Sequence, residues 1–146
     1  MGESDNQWAQ RNLPVARAAG IEVLPSQSIE QVTAAMQKAG LAFVTHSNEF
    51  VSHQLAMPNK LFHAVQAGVP IIATDVPELR NVVTRYDIGE LYQPGSSESM
   101  LSAINRAFAR HTELLSNVEA VQDVLSWESD REVLLGIYEA IFRKRR

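Results

Sequence analysis

The residues best suited to chemistry lie at the predicted start of one helix. Pro58 is typical of a first helical turn, and Asn59, Lys60 and Leu61 follow it directly. The first amides of a helix have no carbonyl partner inside the helix, and the helix dipole makes that end partly positive, so such a start binds phosphate groups readily. Lys60 is unfavourable there unless an anion lies nearby. We therefore interpret it as a phosphate ligand in preference to an ordinary surface lysine.

Histidines are the next candidates. His63 lies on the same predicted helix, where it either contacts a ligand or has a purely structural role. His46 and His53 lie in a predicted loop without the cysteine or paired carboxylate typical of metal sites, so we expect no metal site. The chain contains no cysteine, which excludes disulfides and cysteine nucleophiles and fits a cytoplasmic location. The sequence identifies no catalytic residue.

Charge and hydrophobicity exclude several classes of partner. The chain has a net charge of -4 and a pI of about 5.5, so nothing indicates nucleic acid binding. No apolar run approaches the ~20 residues that span a bilayer, and no secretory signal is recognisable. The basic run Arg143–Arg146 is interpreted either as a solvated helix end or as a segment in peripheral contact with the inner face of a membrane. Motifs of NTPases, dehydrogenases and serine hydrolases are missing.

Short apolar runs alternate with amphipathic stretches along the chain. The predicted strands are 21–24, 41–44, 69–74 and 88–92. Because helical patterns separate them, the sequence predicts an α/β protein with a Rossmann-like parallel sheet flanked by helices. Thr74 or Asp75 is expected to cap the helix after the third strand. Ligands of such sheets bind at the carboxyl ends of the strands, so the loops after Leu24, Val44 and Thr74 are candidate sites.

Several motifs occur in a characteristic order. They are Pro58–Phe62 with Ala67-Gly68 and Pro70, then Asp75–Arg80, then Ile88–Leu91 with Pro94-Gly95, and finally Ser126–Glu128. Together they resemble the donor-binding half of the family-4, or group-1, glycosyltransferases of the GT-B fold. The resemblance covers roughly residues 20 to 142, and its specificity rests on the order and spacing of the motifs. It implies half of a GT-B fold that lacks its first strands.

The resemblance implies a glycosyltransferase that moves a sugar, with retention, from a nucleotide diphosphate-sugar to an acceptor hydroxyl. Synthesis of surface polysaccharide or glycoconjugates is the implied setting, and neither a cofactor nor a metal is implied. The implied donor contacts are Pro25 and Ser26 against the base, Thr45 and His46 near the donor, the backbone of Asn59, Lys60 and Leu61 around the diphosphate, and His63 near the ribose.

At two positions the chain departs from this family. The family has two glutamates eight positions apart, and the second binds the ribose hydroxyls; His63 stands at the second position and Leu55 at the first. A carboxylate accepts two hydrogen bonds from a diol, whereas a neutral imidazole has one acceptor and one donor. This leaves open an alternative, a non-catalytic nucleotide-binding or interaction module that keeps the fold. A sugar epimerase of related fold fits Pro58-Asn59-Lys60 less well.

The family's donor domain begins with two further strands. We therefore expect residues 1–146 to be a single partial nucleotide-sugar-binding domain, with Met1–Ser4 as the end of the second strand and 7–19 as the next helix. The N-terminal, acceptor-binding domain is then a missing partner, and the chain is expected to be inactive alone. Unpaired strand edges are costly, so we expect either a new strand order or a homodimer that completes the sheet.

The last predicted helix would reach toward the missing domain. We therefore expect Ile137, Tyr138 and Ile141 to be exposed. Trp127 is interpreted as a core or interdomain anchor in preference to a stacking platform for a sugar. Arg80 is interpreted either as a ligand contact or as a member of a surface ion pair.

Overall fold

The computed structural model describes residues 7–143, which form two compact units that divide between Ala35 and Met36. In chain order the elements are α1 Gln7–Ala18, α2 Ile29–Ala39, β1 Ala42–Val44, α3 Val51–Gln54, α4 Asn59–Gln66, β2 Ile71–Thr74, α5 Pro77–Tyr86, β3 Gly89–Tyr92, α6 Ser97–Ala109, α7 His111–Val121 and α8 Trp127–Arg143. The predicted strand end at Met1–Ser4 and the basic residues 144–146 lie outside the described residues.

The first unit contains α1, and the predicted strand 21–24 that follows it is absent from the described structure. Gly20 has a φ of 81°, and the Ile21 N–H donates to the Ala16 carbonyl at 2.9 Å, which closes the end of α1. The prediction of a strand here is wrong because the Ile21 amide terminates the helix and no described strand pairs with the segment. Ile21 is 57% exposed, as expected of a chain without a sheet neighbour.

A reciprocal pair of hydrogen bonds starts α2. The Ser28 N–H donates to Gln31 Oε1 at 3.0 Å, while Ser28 Oγ accepts from the Gln31 N–H at 3.4 Å. This capping box satisfies two amides that the helix itself leaves unpaired. The sequence pattern serine-x-x-glutamine thus determines where α2 begins.

The second unit is built on a parallel sheet in the order β1-β2-β3. Ala73 lies between Val44 of β1 and Leu91 of β3. The expectation of a new strand order is therefore wrong. Each neighbouring pair of strands is joined by its own crossover helix, α4 or α5, so these local pairings do not depend on other strands. Within residues 36–143, β1 has no strand partner on its other side, and a homodimer that completes the sheet stays a prediction.

Helices cover both faces of this sheet. Alternate residues of β2 point to opposite faces, so Ile71 and Ala73 pack into one buried cluster and Ile72 into another. The first cluster joins β1 and β2 to α4, α5 and α7, and the second joins β2 and β3 to α6 and α7. All four residues of β2 are buried, as expected of a central parallel strand. The prediction of a Rossmann-like α/β fold is confirmed.

The helix α8 contributes nothing to the buried clusters. No side chain between Trp127 and Arg143 is buried, and Ile137, Tyr138 and Ile141 are all about half exposed, which confirms their predicted exposure. Among residues 7–143 no helix is both long and apolar enough to cross a membrane.

Candidate functional site

Thr74 holds the carboxyl ends of neighbouring strands together. Its side chain is buried, accepts a hydrogen bond from the His46 N–H at 2.6 Å and lies 3.4 Å from the Val44 carbonyl. Burial raises the pKa of the neighbouring Tyr92 hydroxyl, while a hydrogen bond with Thr74 acts weakly in the opposite direction. One hydroxyl at the end of β2 therefore positions the loop that leaves β1.

A polar cleft of about 390 Å³ opens beside Thr74. Its walls are the loop after β1, the end of β2 and the loop after β3, formed by Thr45, His46, Ser47, Asn48, Glu49, Thr74, Tyr92, Pro94 and Gly95. Two predicted site residues, Thr45 and His46, therefore meet at the carboxyl edge of the sheet. This is where open α/β sheets bind ligands.

Ring contacts fix the position of His46. The His46 and His53 rings lie 5.6 Å apart edge to face, and Phe50 packs edge to face on His53 at 5.3 Å. The His53 Nδ1 is buried without a hydrogen-bond partner in the described structure. Although these two histidines meet, no three metal-ligating side chains come together within residues 7–143.

Asp75 links the loops after β2 and β3 by polar contacts. Its carboxylate pairs with Arg80 Nε at 2.5 Å and accepts from Gln93 Nε2 at 3.2 Å, and the pairing raises the pKa of Arg80. The prediction that Thr74 or Asp75 caps α5 is wrong. The N-cap residue is Val76, which forms no side-chain cap, because both polar side chains are engaged at the sheet edge instead. Arg80 belongs to an ion pair, as one of its two interpretations anticipated.

The start of α4 lacks a side-chain cap. Pro58 is the N-cap residue, and its carbonyl accepts the Leu61 N–H at 3.0 Å. Leu61 itself is fully buried and its N–H is engaged in this bond, so it offers no free donor to a ligand. Lys60 is exposed and forms no hydrogen bond or ion pair with the residues described here. The first turn therefore presents its remaining amides and one uncompensated ammonium group.

A second cleft, of about 330 Å³, lies between α4 and the start of α8. Its lining residues are Asn59, Phe62, His63, Gln66, Leu125, Ser126, Trp127 and Asp130. Trp127 is 65% exposed, so its interpretation as a core residue is wrong. Its indole instead lines a cleft, because no side chain of α8 is buried.

The predicted site residues thus fall into separate places. Thr45 and His46 line the cleft at the strand ends, whereas Asn59 and His63 line the second cleft. Pro25 and Ser26 lie exposed in the first unit. Sequence reasoning missed Tyr92 and Asp130. The position of Tyr92 at a strand end was an available signal, but Asp130 had none beyond its spacing of three from Trp127.

These features define a Rossmann-like α/β protein with an open cleft at the carboxyl ends of its strands. Residues 1–110 match the family model described as glycosyl transferases group 1, and the chain belongs to that family. This confirms the resemblance noted in the sequence.

Among solved structures, the chain is similar to a sucrose-phosphate synthase from Thermosynechococcus elongatus. The TM-score is 0.74 at 21% identity, over 97% of this chain and 36% of the other, so the likeness concerns the fold. The chain therefore spans about a third of the length of that protein. A search of curated protein sequences gave no match.

Proposed function

We propose that this chain is the donor-binding part of a glycosyltransferase. The reaction is transfer of a sugar, with retention, from a nucleotide diphosphate-sugar to an acceptor hydroxyl, in polysaccharide or glycoconjugate synthesis. The observation that carries the proposal is the uncapped start of α4 beside Lys60, which has no partner among residues 7–143. Membership of the glycosyl transferase family supports it.

The start of α4 suits a diphosphate on electrostatic grounds. This helix leads from the carboxyl side of the sheet back toward β2, so its positive dipole end lies on the ligand-binding side. A negative group there gains roughly 0.3–1 kcal/mol when exposed and up to ~2 kcal/mol when partly buried. Lys60 adds a full positive charge to the same end. Stabilising the leaving diphosphate is the contribution such a site makes to sugar transfer.

The cleft at the strand ends suits the sugar side of the donor. Thr45, His46 and Ser47 offer hydroxyl and imidazole groups there, and Thr74 and the ring contact with His53 limit the movement of His46. Side chains held in place before the ligand arrives lose less entropy on binding. We assign these residues to positioning the donor, and we assign no acid or base.

Calorimetry with UDP, GDP and ADP tests the proposal on the whole chain. The variant Lys60→Ala should weaken the tightest of the three about tenfold, equal to roughly 1.4 kcal/mol. The matched control is Lys38→Ala, because Lys38 is also exposed but lies in the last turn of α2, away from any helix start. Equal affinity for Lys60→Ala and the parent, or no binding of any nucleotide, contradicts the assignment.

A second candidate is a module that keeps the fold but transfers no sugar. It is favoured by His63, which stands in place of the glutamate that the family resemblance leads us to expect. In the leading proposal His63→Glu supplies a carboxylate that accepts two hydrogen bonds from a ribose diol, so nucleotide binding should tighten. If neither the parent nor His63→Glu binds any of the three nucleotides, the chain acts as an interaction module instead. Thermal-shift measurements report this directly, because a ligand that binds the folded state raises its melting temperature.

A further inference from the structure

We propose that the cleft between α4 and α8 binds a sugar ring through a vicinal diol. Asp130 accepts hydrogen bonds from the two diol hydroxyls, and Trp127 is the wall against which the ring packs. The ring belongs either to the ribose of a bound nucleotide or to a sugar of a glycan. The first of these sources rests on the proposed function, whereas the second does not.

Three of the polar side chains that line this cleft are uncommitted, whereas Gln66 and Ser126 bond to backbone groups. Asn59, His63 and Asp130 make no side-chain hydrogen bond or ion pair with any residue between 7 and 143. Some carboxylates elsewhere on the second unit are paired, as Asp75 is with Arg80 and Asp87 with Arg110, whereas Asp123 is as free as Asp130 within the described residues. Exposed polar groups are ordinarily solvated, so their freedom alone indicates nothing. What distinguishes these three is that they converge on one concave space.

Aromatic and aliphatic side chains complete that space. Phe62 and Leu125 are half-buried on its floor, and Trp127 stands exposed at its side. An indole that is apolar in its body and offers one N–H is suited to a ligand with an apolar face and polar edges. A sugar ring has that character, since its C–H face is apolar and its hydroxyls project from the rim.

The charge of the lining selects a neutral ligand. No lysine or arginine is among the described residues that line the cleft, and Asp130 contributes a carboxylate, so a phosphate group is repelled. An ionised carboxylate is an acceptor with two oxygens, and it matches two adjacent hydroxyl donors. Asn59 and His63 supply further donors and acceptors. The volume of about 330 Å³ is at the lower end of ligand pockets and suits a single ring.

Capping contacts hold Trp127 and Asp130 in position. Ser126 Oγ accepts the Ser129 N–H at 3.2 Å and so begins α8, while Gln66 Nε2 donates to the Leu125 carbonyl at 3.2 Å. Trp127 and Asp130 are three residues apart on one helix and so lie on the same side of it. The cleft also reaches Asn59, the residue before Lys60. A ribose here is therefore compatible with a diphosphate at the start of α4.

Calorimetry on the whole chain tests the ribose source. The ligands are the tightest of UDP, GDP and ADP, and the 2′,3′-dideoxy form of that nucleotide. The parent should bind the ribonucleotide about ten times more tightly than the dideoxy form, since hydrogen bonds to a charged group are lost. Asp130→Asn should abolish most of this preference and leave the dideoxy affinity unchanged. Asp123→Asn is the matched control, since Asp123 is an exposed aspartate that lies near α8 but outside the cleft.

Fluorescence tests the glycan source. In a Trp8→Phe background Trp127 is the sole tryptophan, and D-glucose, D-mannose or D-galactose should change its emission in a saturable way. Asp130→Asn should remove that response, and Trp127→Ala should remove monosaccharide binding in calorimetry. Because both side chains are exposed, these variants should keep the melting temperature of the parent.

The two proposals fail in different ways. Nucleotide binding that depends on Lys60, with a ribose preference unaltered by Asp130→Asn and no response to monosaccharides, overturns the sugar-ring proposal alone. If no nucleotide binds, the proposed function fails, and the monosaccharide response then decides whether the cleft binds a sugar.

Discussion

The side chains of Gln66 and Gln122 each donate to the other's backbone carbonyl. Gln66 Nε2 lies 2.8 Å from the Gln122 carbonyl, and Gln122 Nε2 lies 3.3 Å from the Gln66 carbonyl and 2.9 Å from that of Val65. These bonds join the end of α4 to the turn that precedes α8. They satisfy carbonyls that the last turn of α4 leaves without helical partners. Because α8 buries no side chain, this exchange helps to hold its first turn beside α4, together with the bond from Gln66 to the Leu125 carbonyl.

Removing this exchange should release α8 from α4. Gln66→Ala and Gln122→Ala should each cost about 1 kcal/mol of unfolding free energy, and the double variant should cost less than their sum because the bonds act together. Asn105→Ala is a suitable control, since Asn105 lies on the exposed side of α6 and has no partner in the described structure. Urea denaturation of the four variants measures these differences. Strict additivity of the two glutamine variants would contradict the coupling.

Gly89 should tolerate no side chain. A Cβ at this position would overlap the Ile71 carbonyl in the neighbouring strand, which packing cannot relieve. We expect Gly89→Ala to destabilise the fold by about 3 kcal/mol and to lower the melting temperature by roughly 10 °C. At Gly136, in the exposed middle of α8, a Cβ meets nothing within 4 Å. Gly136→Ala should therefore stabilise the helix, by about 0.5–1 kcal/mol. Differential scanning calorimetry should show a lower melting temperature for Gly89→Ala and a higher one for Gly136→Ala.

Thr74→Val should loosen the loop after β1. The valine has the same shape but leaves the part-buried His46 N–H without its acceptor, a loss of about 1 kcal/mol. Amide hydrogen exchange should become faster at residues 45–49, and nucleotide affinity should fall if these residues position the donor. Thr84→Val provides the comparison, because Thr84 is exposed on α5 and makes no hydrogen bond in the described structure. Unchanged exchange at residues 45–49 would count against the role of Thr74.

Tyr92 should ionise later than an ordinary tyrosine. Burial raises the pKa of its hydroxyl above the usual value of 10.0, so the folded chain holds this proton more tightly than the unfolded chain does. The resulting contribution to stability is complete below about pH 10 and is lost as the pH rises through the pKa of the folded state. Absorbance titration at alkaline pH should show one late tyrosine, which Tyr92→Phe removes. If the titration of the parent shows no late component, burial does not raise the pKa of the Tyr92 hydroxyl.

Local sequence patterns predicted most of the elements. The strand predicted at 69–74, found at 71–74, and the start of α4 after Pro58 both depend on residues within one turn of each other, which is why their types were informative. The prediction of a strand at 21–24 failed because a strand depends on residues that are distant in the sequence. A strand exists only by pairing with a neighbour, and no short-range pattern states whether that neighbour is present.

The candidate site divides in the same way. By itself, the sequence determined the family, the parallel α/β fold and the helix start that carries Lys60, because motifs and periodicity are local properties of the chain. Only the tertiary structure decided that His46 meets Thr74 and that Asp130 shares a cleft with His63, residues that lie 28 and 67 positions apart. Those contacts depend on how strands and helices pack, and packing joins residues whose separation along the chain carries no signal.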